Sequence, residues 1–226
     1  MQKDSAHAHK WGQPWIDQMG IFPITKQDQQ LFWQACQDIN PDMCKSSELW
    51  SKIDQYIQQN GTCFFKLSTA SPKDVTLEDG KGPSCKVNST ERLFKSLTRS
   101  FRIMEYLEDN SEDYAIVLTK WNDKIDFNNE YRCFVLDGIC EAISHMIDCS
   151  DPSPEIEFLI HNYINLHHKT FPESAVALDL CVTNDNEVIF IEFNPVDEEL
   201  DSYGIIDRNV PITEKLYAML QQPSRF

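Results

Sequence analysis

The sequence is short of positive charge: 20 lysines and arginines stand against 36 aspartates and glutamates over 226 residues, a formal charge of -16. Nonspecific nucleic-acid binding needs clustered cations to neutralise phosphates, so the deficit argues against that class of function. Such a surface suits solubility or a basic protein partner. No apolar run approaches the roughly 20 residues of a membrane span, and Met1 to Lys10 is polar and lacks a secretory apolar core. A cytoplasmic protein, without membrane or direct nucleic-acid contact, is expected. No CxxC pair occurs although there are eight cysteines, and Cys63, Cys133, Cys140 and Cys181 fall in strand-like runs, which points to buried reduced thiols rather than disulfides or zinc. His145, His161, His167 and His168 lack metal-ligand spacing, so neither a zinc site nor a Cys-His nucleophile is supported. GxxxxGK[ST] and GxGxxG are both missing. Any phosphate must therefore be held by side chains and a flap, for which Asp79 to Pro83, with two glycines, is the candidate.

What is present is an ordinary globular composition, 41% hydrophobic and 25% charged. The length suits one large domain or two small lobes sharing a cleft. Apolar periodicity predicts helices over 25–40, from Ser46 or Ser47 to Asn60, over 90–107, from Ser153 or Pro154 to about Lys169, and over 213–221. Strands are predicted over 62–68, 115–121, 130–136 and 139–146, with Asp137-Gly138 as a hairpin turn between the last two. Asp109 to Asp113 is an acidic linker where the composition shifts. The expected division is a partly flexible N-terminal extension over 1–24, an N-terminal lobe over 25–113 and a C-terminal lobe over 114–226 that carries the metal site.

That site is read from two further strands, Leu178-Asp179-Leu180-Cys181-Val182 and Ile189-Phe190-Ile191-Glu192-Phe193-Asn194-Pro195. Side chains two apart point the same way, so Glu192 and Asn194 share a face, and a hairpin through Thr183 to Glu187 can bring Asp179 beside them. Three oxygen donors with incomplete coordination suit Mg2+ shared with substrate phosphates. The same residues also fit an acidic sheet edge facing water. Lys66 and Lys120, each at the end of an apolar strand, and Arg132, in a third, shift the balance, because a cation in such a place wants an anionic partner. Two lysines and an arginine facing an acidic hairpin complement a polyphosphate bridged by Mg2+.

Taken together, these segments resemble the cell division cycle 123 protein family, a branch of the ATP-grasp superfamily. The matching stretches are Phe65-Lys66-Leu67-Ser68, Ser71-Pro72-Lys73-Asp74, Leu118-Thr119-Lys120-Trp121, Glu130-Tyr131-Arg132-Cys133-Phe134-Val135, Ile143-Ser144, Asp179 in its strand, Ile191-Glu192-Phe193-Asn194-Pro195 and Asp201-Ser202. The resemblance implies an α+β, ATP-grasp fold whose two α/β lobes clasp a nucleotide. By the same resemblance Lys66 contacts phosphates, with Lys73 and Asp74 as lesser candidates; Lys120, Trp121 and Asn122 form a hinge lining adenine and ribose; Arg132 reaches the phosphates; and Asp179, Glu192 and Asn194 hold Mg2+. Glu130 orients its neighbours. Thr119, His145-Met146 and Glu192 depart from the residues usual in the family, and residues 1 to 60 resemble its eukaryotic members poorly.

The function implied is ATP- and Mg2+-dependent assembly of a protein partner, such as translation initiation factor two through its gamma subunit, by a monomer acting as a chaperone factor. The alternative is an ATP-grasp ligase or a phosphoryl or adenylyl transferase acting on a protein or small molecule. No catalytic base is identified.

Overall fold

Residues 11, 15–17, 19–77, 82–108, 113–196 and 213–220 are described by the computed structural model, and the chain divides into one unit of residues 15–121 and another of 1–14 with 122–226. Met1 to Lys10, most of the flap candidate and Asp201-Ser202 lie outside the described residues.

The first unit holds β1 (Met19–Pro23), α1 (Lys26–Gln37), α2 (Glu48–Asn60), β2 (Cys63–Leu67), β3 (Lys86–Val87), α3 (Thr90–Arg99), α4 (Phe101–Glu108) and β4 (Ala115–Lys120). Its strands form an antiparallel sheet in the order β1-β4-β2-β3. Alternation sends Cys63, Phe65 and Leu67 of β2, with Ile116 and Leu118 of β4, into a core shared with Phe32, Ile53, Leu93, Leu97 and Leu107 of the helices. Thr25 begins α1 with a reciprocal cap: its hydroxyl accepts from Asp28 N at 3.1 Å, and Asp28 Oδ2 accepts from Thr25 N at 3.3 Å. Asp28 Oδ1 also accepts from Ser47 Oγ at 2.9 Å, which ties the start of α2 to that of α1.

Three features differ from the sequence pattern. Residues 19–23, expected within an N-terminal extension, form an edge strand paired with β4. Gly20 and Pro23 disguise it. Glycine is required at 20 because a Cβ there would lie 2.6 Å from the Tyr56 ring. β4 pairs with β1 and β2, so it belongs to the first sheet, and the division falls after Trp121 rather than before Tyr114. The single helix expected over 90–107 is two helices, broken at Ser100, whose ψ of 114° is extended. There Ser100 Oγ accepts from Ile103 N at 3.2 Å as the cap of α4 and donates to Asp74 Oδ1 at 2.6 Å.

The second unit holds β5 (Glu130–Leu136), β6 (Ile139–His145), α5 (Pro154–His167), β7 (Ala175–Val182), β8 (Val188–Asn194) and α6 (Glu214–Leu220). Its antiparallel sheet runs β6-β5-β7-β8. The β5–β6 turn is the expected Asp137-Gly138, both with positive φ, as a tight hairpin requires. β7 and β8 are joined through Thr183, whose N–H donates to Glu187 O at 2.9 Å, with Asn186 in the left-handed region. One end of a sheet face packs Phe134, Leu136, Ala142, Ala175 and Ala177 against Val196 and Leu216. None of the eight cysteines is in a disulfide.

Strict alternation along β8 is interrupted. Asp179 pairs with Glu192, but Leu180 pairs with Phe190, so Ile191 is the extra residue of a β-bulge. The bulge lets Phe190 join Phe193, their ring centroids 4.8 Å apart, on the face opposite Glu192 and Asn194. Trp11 packs edge-on against both phenylalanines, at 5.5 and 5.2 Å.

Burial pushes the Asp74 carboxyl up, but the Ser100 hydroxyl and the N–H groups of Arg102 and Phe101 outweigh it and hold it below its ordinary value. A depressed carboxyl contributes stability that is present above the unfolded value, about 3.9, and is lost as pH falls through the folded one. Ser100→Ala and Asp74→Ala are each expected to cost about 1 kcal/mol in urea unfolding at neutral pH. For Asp74→Ala the deficit should shrink as the buffer is acidified; a deficit independent of pH would remove Asp74 from the cap.

Candidate functional site

Strand parity decides which of the expected residues meet. In the second sheet Arg132 lies opposite Asp179, Asp179 opposite Glu192, and Ala177 opposite Asn194, so all the expected residues of this unit's strands share one face. Glu130 and Ser144 share it too. Arg132 Nε donates to Asp179 Oδ1 and Arg132 Nη2 to Asp179 Oδ2, each at 2.7 Å, a two-pronged pair with side-chain exposures of 6% and 2%. Asn194 Nδ2 adds a third hydrogen bond to Asp179 Oδ2, at 3.1 Å. Arg132, expected at phosphates, is thus first of all the group that fixes the orientation of Asp179.

Among the described residues no cluster of three or more His, Cys, Asp or Glu side chains is placed to hold a metal. The convergent set has two carboxylates and one amide, all hard oxygen donors. Asp179 Oδ2 accepts from both Arg132 and Asn194, whereas Oδ1 accepts from Arg132 alone and has a second lone pair beyond that bond. This donor set fits Mg2+, which completes its sphere with water and substrate oxygens, better than a cation caged by protein alone.

In the first unit, Lys66 is buried, 8% exposed, opposite Val117 on the sheet face away from the helical core. Lys86 pairs with Phe64, which lies two residues from Lys66 on the same side of β2, and so shares that face. Its Nζ sits 4.5 Å from the centroid of the Trp121 ring, while Trp121 N donates to Thr62 O at 2.9 Å and prolongs the ladder. Lys120 differs: it pairs with Cys63, so by parity its side chain leaves the sheet on the face opposite Lys66, at an exposed strand end. The two lysines therefore do not form one patch along the strands. Asn122 Oδ1 accepts from Lys124 N at 3.0 Å in a turn. Lys73 is exposed, on the loop that Ser84 Oγ grips through Pro72 O, and Asp74 serves the start of α4. A groove of about 560 Å3 beneath β1 and α2, lined by Phe22, Lys52 and Tyr56 among others, includes none of the expected site residues.

Sequence reasoning missed Lys86, because a two-residue strand has no periodicity; its one signal was the alternation in Cys85-Lys86-Val87. It also missed the role of His145. Its Nδ1 lies 2.6 Å from Asp148 Oδ1 and its Nε2 2.7 Å from the carbonyl oxygen of Asn128. Both partners only accept, so the protonated ring satisfies both bonds.

A family profile, D123, matches residues 25–204. The chain belongs to the D123 family. Over 168 residues it is 30% identical to a translation initiation factor eIF2 assembly protein from Dictyostelium discoideum, covering 66% of this chain and 43% of that relative. The chain thus spans less than half the length of this curated family member. Cdc123 from Schizosaccharomyces pombe matches over 95% of this chain and 94% of that one, with a TM-score of 0.71 at 16% identity; its C-terminally truncated form matches over 92% of each, also at 0.71, with 17% identity. At such identities the likeness shows the fold. The mixed helices and sheets, and the fold shared with Cdc123, agree with the α+β class expected from the sequence. No helix among the described residues is long and apolar enough to cross a membrane.

Arg132→Met leaves Asp179 buried without its fork and is expected to destabilise the protein by about 3–5 kcal/mol, whereas Arg132→Met with Asp179→Leu together should recover most of that. A double-mutant cycle in guanidinium measures it, and additive losses would mean that the pair is not coupled. Burial pushes the His145 ring down, but the Asn128 carbonyl and Asp148 outweigh it and raise it. A raised histidine contributes stability that is full below the unfolded value, about 6.5, and is lost as pH rises through the folded one. The stability advantage of the protein over His145→Gln should therefore narrow between about pH 6 and pH 8, as read by urea unfolding; a widening gap would show a neutral ring in the fold.

Proposed function

We propose that this D123 family member binds ATP with Mg2+ and uses it in assembling a protein partner, translation initiation factor two, through an interaction with its gamma subunit in the cytoplasm. The observation that carries the nucleotide half is the shared face of Arg132, Asp179, Glu192 and Asn194, where a buried guanidinium orients a carboxylate beside further oxygen donors. The assembly half is supported by the relative named as an eIF2 assembly protein and by a charge of -16, which suits a basic partner.

Asp179, Glu192 and Asn194 would hold the metal. When bound it supplies charge neutralisation and orientation at the phosphates. Arg132 keeps Asp179 from rotating away and adds positive charge to the same face. Lys66 is the phosphate contact of the first unit: a buried ammonium on a strand is positioned by the sheet rather than by a mobile loop. Lys120, Trp121 and Asn122 line the base and ribose where the first unit ends. Lys73 contributes at most from its exposed loop. Asp74 is a capping residue, and its effect on ATP is expected only through the loop that it anchors.

Because Asp179→Ala would also strand Arg132, the informative substitutions are Glu192→Gln, Asn194→Ala and Lys66→Gln. ATP at about 100 times its Kd, with Mg2+, should stabilise the protein by about 2.7 kcal/mol, seen as a rise in Tm, and each of these substitutions should remove most of that rise. Wild-type protein unmoved by ATP and Mg2+ would overturn the nucleotide reading. ATP-dependent capture of purified gamma subunit without steady ADP or AMP release supports assembly; substrate-dependent turnover replaces it with the ligase or transferase reading.

A further inference from the structure

The outer side of α5 carries a symmetric pattern. Ile160 and Ile164, 0% and 1% exposed, mark the side that α5 turns inward, and the helix touches β6, β7 and β8. With an advance of about 100° per residue, the opposite side holds Glu155, Phe158, Asn162 and Leu166 within about 80° of one another. Lys169 follows in the short 3-10 helix His168–Thr170 that continues α5. All five are exposed, Phe158 by 66% and Leu166 by 79%.

A single exposed apolar residue needs no explanation. Here two large ones share a stripe with an acid at one end, a base at the other and an amide midway. Glu157 lies off the stripe and faces His161 of its own helix at 3.6 Å, so the stripe carries its acid only at the start. The five residues are spaced by 3, 4, 4 and 3, a sequence that reads the same in both directions. Turned end for end about Asn162, the stripe lays Glu155 on Lys169, Phe158 on Leu166 and Asn162 on itself. An antiparallel copy therefore sets acid on base and apolar on apolar. The two amides, each a donor and an acceptor, meet at the centre. Opposed helix dipoles favour the same arrangement. A parallel copy would set acid on acid and base on base.

We propose that α5 is a self-association surface through which two copies of this chain form a weak two-fold dimer, their helices antiparallel and crossing at Asn162. The inference goes beyond nucleotide binding and puts a monomer–dimer equilibrium in place of the monomer expected from the sequence. A two-fold interface uses one patch twice, and this patch is complementary to itself. α5 has 14 residues and is about 21 Å long. One helix seam of that length stays below the roughly 1,200 Å2 of a standard stable interface, so the dimer dissociates between about 10 μM and 1 mM.

Sedimentation of the full chain across that concentration range measures the equilibrium. Glu155→Lys and Lys169→Glu are each expected to weaken association at least about tenfold, because the two-fold axis repeats every altered pair. The variant carrying both reversals should return to wild-type association. An equal mixture of the two single variants should also associate, as a heterodimer in which lysine meets glutamate at both ends. Phe158→Glu should abolish association. All these positions are exposed, so Tm is expected to hold in every variant. A wild-type chain that is monomeric at about 1 mM would overturn the proposal and leave the face to a partner of another kind. A dimer that neither charge reversal weakens would also overturn it, since association would then use a different surface. Neither result bears on the ATP reading.

Discussion

A guanidinium and a carboxylate share the interior of the second sheet, and neither could remain there alone. The pairing of Arg132 with Asp179 across β5 and β7 requires those strands to be in one register, since a slip of a single residue would send one partner to the other face. That register also sets which residues of β7 face β8 and so where Glu192 and Asn194 can stand. It places Phe134, Ala175 and Ala177 over the apolar end of the same face. A buried ion pair is weak evidence of stability in itself, because desolvation offsets its attraction. What it does here is penalise every arrangement that separates the two charges.

Much of this was legible in the sequence, for reasons that differ by residue. The second sheet was read nearly strand for strand because its members are long, rich in β-branched and aromatic residues, and joined by Asp137-Gly138, whose turn chemistry is local. Glu192 and Asn194 share a face as two-residue spacing predicts. Their relation to Phe190 could not be read, because the bulge at Ile191 is set by pairing with Leu180 and leaves no local mark. The first unit was harder. β1 contains Gly20 and Pro23, which look like punctuation until Tyr56 is seen to need the space and an edge strand is seen to tolerate the proline. The break at Ser100 was hidden because Leu97, Phe101 and Met104 continue a helical stripe, while the carboxylate that favours the break, Asp74, is far away in sequence.

The charged residues divide along the same line. Lys66 and Arg132 were singled out because a cation within an apolar run is conspicuous. Sequence alone could not say that Arg132 would be engaged by Asp179, or that Lys120 would leave its sheet on the other side from Lys66. Parity answers the second question and cross-strand pairing the first. Arg92 gave no signal, because a single arginine in the polar first turn of a helix reads as a solvated residue. Its guanidinium acts on carbonyl oxygens, which no side-chain pattern records.

The bulge in β8 lets that strand absorb the loss of one residue, which the regular pairing of β7 with β5 could not. Along a regular strand the loss of two adjacent residues preserves which side chains face in, whereas in β8 the acidic and aromatic sets are kept on opposite sides by one surplus residue. Removing Ile191 alone would restore a perfect alternation and leave Phe190 on the side opposite Glu192, whereas keeping Ile191 and flattening the bulge would set Phe190 on the side of Glu192. The division between the acidic and aromatic sides of β8 therefore survives a single deletion between Phe190 and Glu192, but not the loss of the bulge with all its residues kept.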